Sequence, residues 1–248
     1  MIDIHCHLLP EIDDGPRSMG EALKLALLAS QNGITHSVVT PHIHPGRYDN
    51  YFELIFSRYE DFKDALECHN IELELGMAAE VRISSEIIEM IDKDEIPFLG
   101  EYEGRKVMLL EFPHNMIPAS SAKLVRAFIN RGILPMIAHP ERNKDVMSNL
   151  RKLNPFVDLG CLFQVTASSV SGYFGDKAKK RADQILKNNW CTVLASDAHN
   201  ATHRPPDLNA GFQAATKVIG ESRAWDLVHT TPFSIVESQF ELALNDYT

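Results

Sequence analysis

The chain has 248 residues, 44% of them hydrophobic, and 34 acidic against 24 basic side chains give a formal charge of -10. That length suits one large buried core and a single domain over 1–248, while the acidic balance argues against nucleic acid as the default partner. Cys6, Cys68, Cys161 and Cys191 form no C-x-x-C pair or disulfide framework, and charges interrupt every apolar run short of a membrane span, so the expectation is a reduced, cytoplasmic protein that is not embedded in a membrane.

The first run, "MIDIH", reads as a strand. In extended backbone His5 and His7 share one face and Cys6 points to the other, and two imidazoles on one face can hold one metal ion. Asp13 and Asp14 follow at once. "SMGEALKLALLASQNG" then carries Leu23, Ala26 and Leu27 at helical spacing and stops at Gly33. The same strand-then-helix order recurs. "HSVVTPH" precedes "NYFELIFSRYEDFKDALECHN", "IELELGMAAEV" precedes "SSEIIEMIDK", and "KVMLLEF" precedes "SSAKLVRAFINRG". "LPMIAHPER" leads to "KDVMSNLRKL", "LFQVTASS" to "DKAKKRADQILKN", and "CTVLASDAH" to "PDLNAGFQAATKVIG". Beyond residue 205, "SRAWDLVHT" and "SIVESQFELAL" extend a helical closing segment over 206–248 that carries no recognisable chemistry.

Seven strand-like runs alternating with helices predict parallel strands joined by right-handed crossovers. His5 and His7 close the first run, His42 the second, Glu80 the third, Glu111 the fourth, His139 the fifth, and Asp197 with His199 the seventh. Only "LFQVTASS" lacks a ligand type. An open sheet would string these ends along a line, whereas a closed barrel brings them to one mouth. The expected fold is therefore α/β, a distorted (β/α)7 TIM-like barrel, with its site segments in 1–205.

With Asp14 the candidate ligands are His5, His7, Asp14, His42, Glu80, Glu111, His139, Asp197 and His199. Imidazoles and carboxylates without thiolate suit an open catalytic site for manganese, iron or zinc, and nine of them fit two or three divalent ions. One histidine after a strand is ordinarily a turn or core residue. Six strand ends of this kind together are not explained by packing, because clustered carboxylates are costly to bury without cations. His36, His69, His114 and His229 read as structural, and His44 as an alternative ligand or substrate contact. Arg142 and Arg204 follow ligand segments closely, and guanidinium beside metal suggests a phosphate ester; Arg47 ranks behind them. Cysteine-dependent tyrosine phosphatases need an arginine six residues after the nucleophile, where this chain has Ile12, Glu74, Ala167 and Asp197, so a phosphatase here must use metal-activated water.

Taken together, "DIHCHLLPEIDDGPRS", "TPHIHPGRYDN", "GMAAEVR", "LLEFP", "AHPERN" and "ASDAHN" resemble the polymerase and histidinol phosphatase (PHP) superfamily. Within it they are similar to the manganese-dependent protein tyrosine phosphatases of bacterial capsule and exopolysaccharide loci, of the CpsB/CapC kind. The resemblance implies a first metal on His5, His7, Glu80 and Asp197, a second on Glu80, Glu111 and His139, and a third on Asp14, His42 and His199. Asp13 or Asp14 could fill the aspartate position, and the family pattern points to Asp14. It further implies Mn2+ as the metal, with iron or zinc as alternatives, and Arg142 and Arg204 as catalytic groups. The implied substrate is a phosphotyrosine protein, the C-terminal tail of a membrane-associated tyrosine autokinase. A small-molecule phosphoesterase such as histidinol phosphatase and a non-catalytic phosphotyrosine-binding regulator are the competing readings.

Overall fold

The computed structural model describes residues 1–240. Its first strand, β1 (Ile2–Cys6), is followed by helix α1 (Met19–Gln31), whose start is capped by the Ser18 side chain accepting from the Glu21 backbone N–H. The second run is two short strands, β2 (His36–Val39) and β3 (His42–Ile43), before α2 (Phe52–Cys68). The third is likewise divided, into β4 (Glu74–Met77) and β5 (Glu80–Arg82), before α3 (Ile87–Asp92). An unanticipated β6 (Gly100–Tyr102) pairs antiparallel with β7 (Arg105–Glu111), which leads to α4 (Ser121–Ile129).

After β8 (Ile133–Ala138) the expected single helix "KDVMSNLRKL" is broken into α5 (Lys144–Ser148) and a 3-10 turn at Leu150–Leu153, and α6 (Asn154–Asp158) follows it. Asn149 interrupts it by turning extended and accepting the Arg151 N–H with its own side chain, a local bond that competes with the helix. β9 (Leu162–Thr166) runs straight into α7 (Ala167–Ser171) and α8 (Asp176–Lys187). β10 (Val193–Ala195), α9 (Leu208–Ile219), α10 (Glu221–Trp225) and α11 (Thr231–Val236) complete the described chain. The expected segment "SIVESQFELAL" therefore ends beyond the described residues.

Every pairing except that of β6 is parallel, in the orders β1-β2-β4 and β3-β5-β7-β8-β9-β10. Counting each divided run as one stave leaves seven in sequence order. The ring closes between the last and the first, where Asp197 N–H donates to the His5 carbonyl at 2.8 Å and His7 N–H to the Ala198 carbonyl at 2.8 Å. Closure is what turns strand ends into one mouth. The second stave breaks at Pro41, which has no N–H to offer its neighbour, although its carbonyl still accepts from Glu80 at 3.1 Å.

On β7, strand alternation puts Val107, Leu109 and Glu111 on one face, so the apolar pair floors the site that Glu111 enters. Leu134, Met136, Ile4 and Val38 join that cluster, and Ile235 and Val236 of α11 pack onto it. The opposite faces of the strands meet the helices in a larger core that includes Met108, Leu110, Ile137, Phe128 and Phe163. Among the described residues, no helix is long and apolar enough to cross a membrane.

Candidate metal centre

Eight of the nine expected ligands fall into three sets whose ligand atoms lie within 4.8 Å of one another at the mouth of the barrel, and the ninth, His139, reaches Glu80. His5, His7, Glu80 and Asp197 form one set, His42, Glu80 and Glu111 the second, and His7, Asp14, His42 and His199 the third. Glu80 lies at the centre. Its Oε2 is 3.3 Å from His5 Nε2, 3.2 Å from His7 Nε2 and 3.1 Å from His42 Nδ1, and its Oε1 is 2.6 Å from His139 Nε2. His139 Nε2 and His42 Nδ1 each lie 3.9 Å from a Glu111 carboxylate oxygen, so the Glu80–Glu111 pair has an imidazole beside each of its oxygens.

Asp13 and Asp14 separate cleanly. Asp14 Oδ1 lies 3.3 Å from His42 Nε2 and 3.4 Å from His199 Nε2, inside the cluster. Asp13 stands behind it, its Oδ2 2.7 Å from His7 Nδ1 and accepting the His42 backbone N–H at 3.0 Å. Gln164 does the same for His5, with Oε1 2.9 Å from Nδ1. The His199 Nδ1 faces the Asp197 carbonyl at 3.0 Å. These partners occupy Nδ1 on each ring and leave Nε2 aimed inward, the arrangement that second ligands impose on metal-binding histidines.

The inward atoms are the test of whether metal fits. His5 Nε2, His7 Nε2, His199 Nε2, His42 Nδ1, Glu80 Oε2 and Asp197 Oδ1 are buried and converge, yet none makes a hydrogen bond among the described residues. Unpaired buried acceptors cost free energy unless a cation satisfies them. The donor set and its burial fit divalent ions. His139 at φ 32° and Asp197 at φ 54° lie in the left-handed region, which Asp and His adopt more readily than most side-chain-bearing residues.

Buried carboxylates and arginines set the protonation of the groups around them. Burial alone would depress His5, but Glu80 and Asp197 carry it up to about 9, and His7 likewise rises to about 9 against burial through Asp13 and Glu80. His139 and His199 go the other way. Burial and then Arg142 hold His139 down at about 3, while burial and then His7 hold His199 at about 4. Burial, followed by the neighbouring Glu80 charge, pushes Glu111 up to about 7. Despite its burial, Asp197 stays well below the carboxylate range because Arg142 and Arg204 flank it.

Both arginines singled out from sequence reach this centre. Arg142, on the 3-10 turn Pro140–Arg142, contacts Asp197 Oδ2, and Arg204 Nη2 lies 2.5 Å from the same oxygen. His44 and Arg47 do not enter the three ligand sets; Arg47 stacks on Tyr48, which in turn stacks on His42 at 5.4 Å. Cys6, Cys161 and Cys191 are buried and Cys68 is exposed, all of them unpaired and outside the cluster.

A family model for capsular polysaccharide synthesis, CpsB/CapC, matches residues 1–237. The chain belongs to the CpsB/CapC family. It is 38% identical to CapC of Staphylococcus aureus over 83% of this chain and 79% of that protein. It is 31% identical to the tyrosine-protein phosphatase YwqE of Bacillus subtilis over 100% of this chain and 93% of the relative. A crystal structure from the work on YwqE of Bacillus subtilis and CpsB of Streptococcus pneumoniae, described as metal-dependent tyrosine phosphatases, superposes with a TM-score of 0.89 at 29% identity, covering 96% of this chain and 95% of that one. Fold alone is shared with the phosphotriesterase homology protein of Escherichia coli, at TM-score 0.56 and 12% identity over 95% of this chain and 98% of that one.

Reading this CpsB/CapC chain strand by strand missed Arg82, whose Nη2 is 2.8 Å from Glu111 Oε2. The signal was present, since Glu80 and Arg82 are two apart on one strand and so share a face. Asp13 and Gln164 were missed as supports because their role lies in contacts that no local pattern records.

Proposed function

We propose that this protein is a metal-dependent protein tyrosine phosphatase that hydrolyses phosphotyrosine with water. The observation that carries the reading is the convergence of buried, unsatisfied imidazole and carboxylate atoms beneath arginines, in a chain of the CpsB/CapC family. His5, His7, Glu80 and Asp197 would hold one ion, Glu80 and Glu111 with His139 or His42 a second, and Asp14, His42 and His199 a third. Manganese is the proposed metal, as in the PHP phosphatases that the motifs resemble. Divalent ions held there would lower the pKa of bound water, supplying hydroxide, and would neutralise phosphoryl oxygens.

The chain's own groups do the rest. Asp13 and Gln164 keep the imidazoles turned inward. Arg142 and Arg204, each with donors beyond the one lying on Asp197, are placed to grip phosphoryl oxygens and stabilise charge that builds on them. Phenolate leaves without a strong general acid, and the four cysteines lie outside the ligand sets, with burial pushing the Cys161 thiol up to about 12. The proposed substrate is the phosphorylated C-terminal tail of a membrane-associated tyrosine autokinase, met in the cytoplasm. The family's link to capsular polysaccharide synthesis supports it.

Metal-stripped protein should not hydrolyse a phosphotyrosine peptide until manganese is restored. His5→Ala should stay inactive, and a variant with all four cysteines changed to serine should keep activity. Turnover that ignores metal and needs a thiol would refute the proposal, as would preference for histidinol phosphate over the peptide.

A further inference from the structure

Three arginines, not two, stand against the ligand carboxylates, and they differ in how they are held. Arg142 comes from the 3-10 turn after β8 and Arg204 from the segment between β10 and α9, and they share one oxygen of Asp197. Arg82 comes from β5 itself, opposite Glu111 in the register of the β5–β7 pairing, so its position is set by sheet hydrogen bonds. Its side chain lies at the mouth, 17% exposed, with Nη2 2.8 Å from Glu111 Oε2. This is an ion pair without hydrogen-bond alignment. Arg82 Nε and Glu111 Oε2 both lack a hydrogen-bond partner, although both are buried. A guanidinium has five N–H donors in a fixed fork, and Glu111 does not satisfy this one. Ions beside Glu111 would further weaken its hold by neutralising the carboxylate.

Resting on the phosphatase reading, we propose that Arg82 is a third phosphate-binding arginine, a catalytic residue that donates to the phosphoryl group opposite Arg142 and Arg204. Glu111 holds it at the mouth until substrate arrives. The rigid strand places the charge with less ordering cost than a loop arginine would incur.

The test compares manganese-loaded wild type with Arg82→Gln and Arg82→Lys, measuring metal content, inorganic phosphate affinity and kcat/KM on a phosphotyrosine peptide. Arg82→Gln should retain its manganese, bind phosphate about 10- to 100-fold more weakly and lose kcat/KM by at least as much. Arg82→Lys should recover part of the phosphate affinity, since charge remains while the fork is lost, and it carries the test if the glutamine variant does not fold. Unchanged phosphate affinity would overturn the proposal. So would joint loss of manganese and phosphate in both variants, which would make Arg82 only a support for Glu111. If wild type binds phosphate but fails to cleave the peptide, the phosphatase reading falls while weaker phosphate binding by Arg82→Gln still upholds this one.

Discussion

Glu80→Gln removes one charge and almost no volume from the centre of the site. Glu80 faces the imidazoles of His5, His7, His42 and His139 within 3.3 Å, and it belongs to two of the three ligand sets. The strength of that field can be read from His5. Glu80 and Asp197 together lift it from 6.5 to about 9 against burial, which is about 3 kcal/mol of net preference for a positive charge at that spot. A dication feels the loss of Glu80 at least as strongly as half of two such protons, so each ion it touches should bind about 100-fold more weakly. The assay is equilibrium dialysis against manganese with metal counted by mass spectrometry, alongside peptide hydrolysis and a thermal melt. The variant should remain folded, hold at least one ion fewer at micromolar free metal and lose about three orders of magnitude in kcat/KM. Wild-type stoichiometry and affinity in Glu80→Gln would refute the assignment of Glu80 as the shared ligand.

His5 and His7, raised to about 9, hold protons at neutral pH that an incoming ion must displace, so manganese affinity should climb with pH between 6.5 and 9. The expected slope is about tenfold per pH unit for each proton displaced, and flat affinity by calorimetry would contradict it. In the metal-free chain the same two histidines stabilise the fold fully below pH 6.5, and that contribution should be lost as pH rises through about 9, read as a falling thermal midpoint. Asp13→Asn leaves Asp14 in the cluster but weakens the partner of His7 Nδ1; about a 10- to 100-fold loss of metal affinity or activity is expected, against loss of an ion outright for Asp14→Asn. Far from the site, Gly211→Ala would put a methyl group 2.4 Å from Ala167 Cβ where α9 crosses α7, costing about 1–3 kcal/mol and about 2–4 °C of melting temperature per kcal/mol.

The alternation of strands and helices was legible because it is written locally, in periods of two and of 3.6 residues. So was the site's composition: imidazoles and carboxylates at six strand ends are visible residue by residue, and a closed barrel is the topology that makes sense of them. Less was legible inside the runs. "HSVVTPH" and "IELELGMAAEV" each read as one strand but divide in two; Pro41 marks the first break locally, whereas the second, at Ala78 and Ala79, carries no local signal. The antiparallel β6 was missed for the same reason, since its three residues gain strand character only from β7.

Residue type and local periodicity carried the repeating β/α order, the imidazole and carboxylate chemistry of the ligands and the lack of an arginine six residues after any cysteine. How these groups are apportioned came from closure of the barrel. It put Asp14 in the cluster and Asp13 behind His7, turned Gln164 from the one strand without a ligand into the support of His5, and set Arg82 against Glu111. The physical reason is range. Periodicity and residue type act through neighbours in the chain, whereas roles within the site depend on ångström distances between atoms brought together by closure of the barrel, as with His5 and Gln164, 159 residues apart.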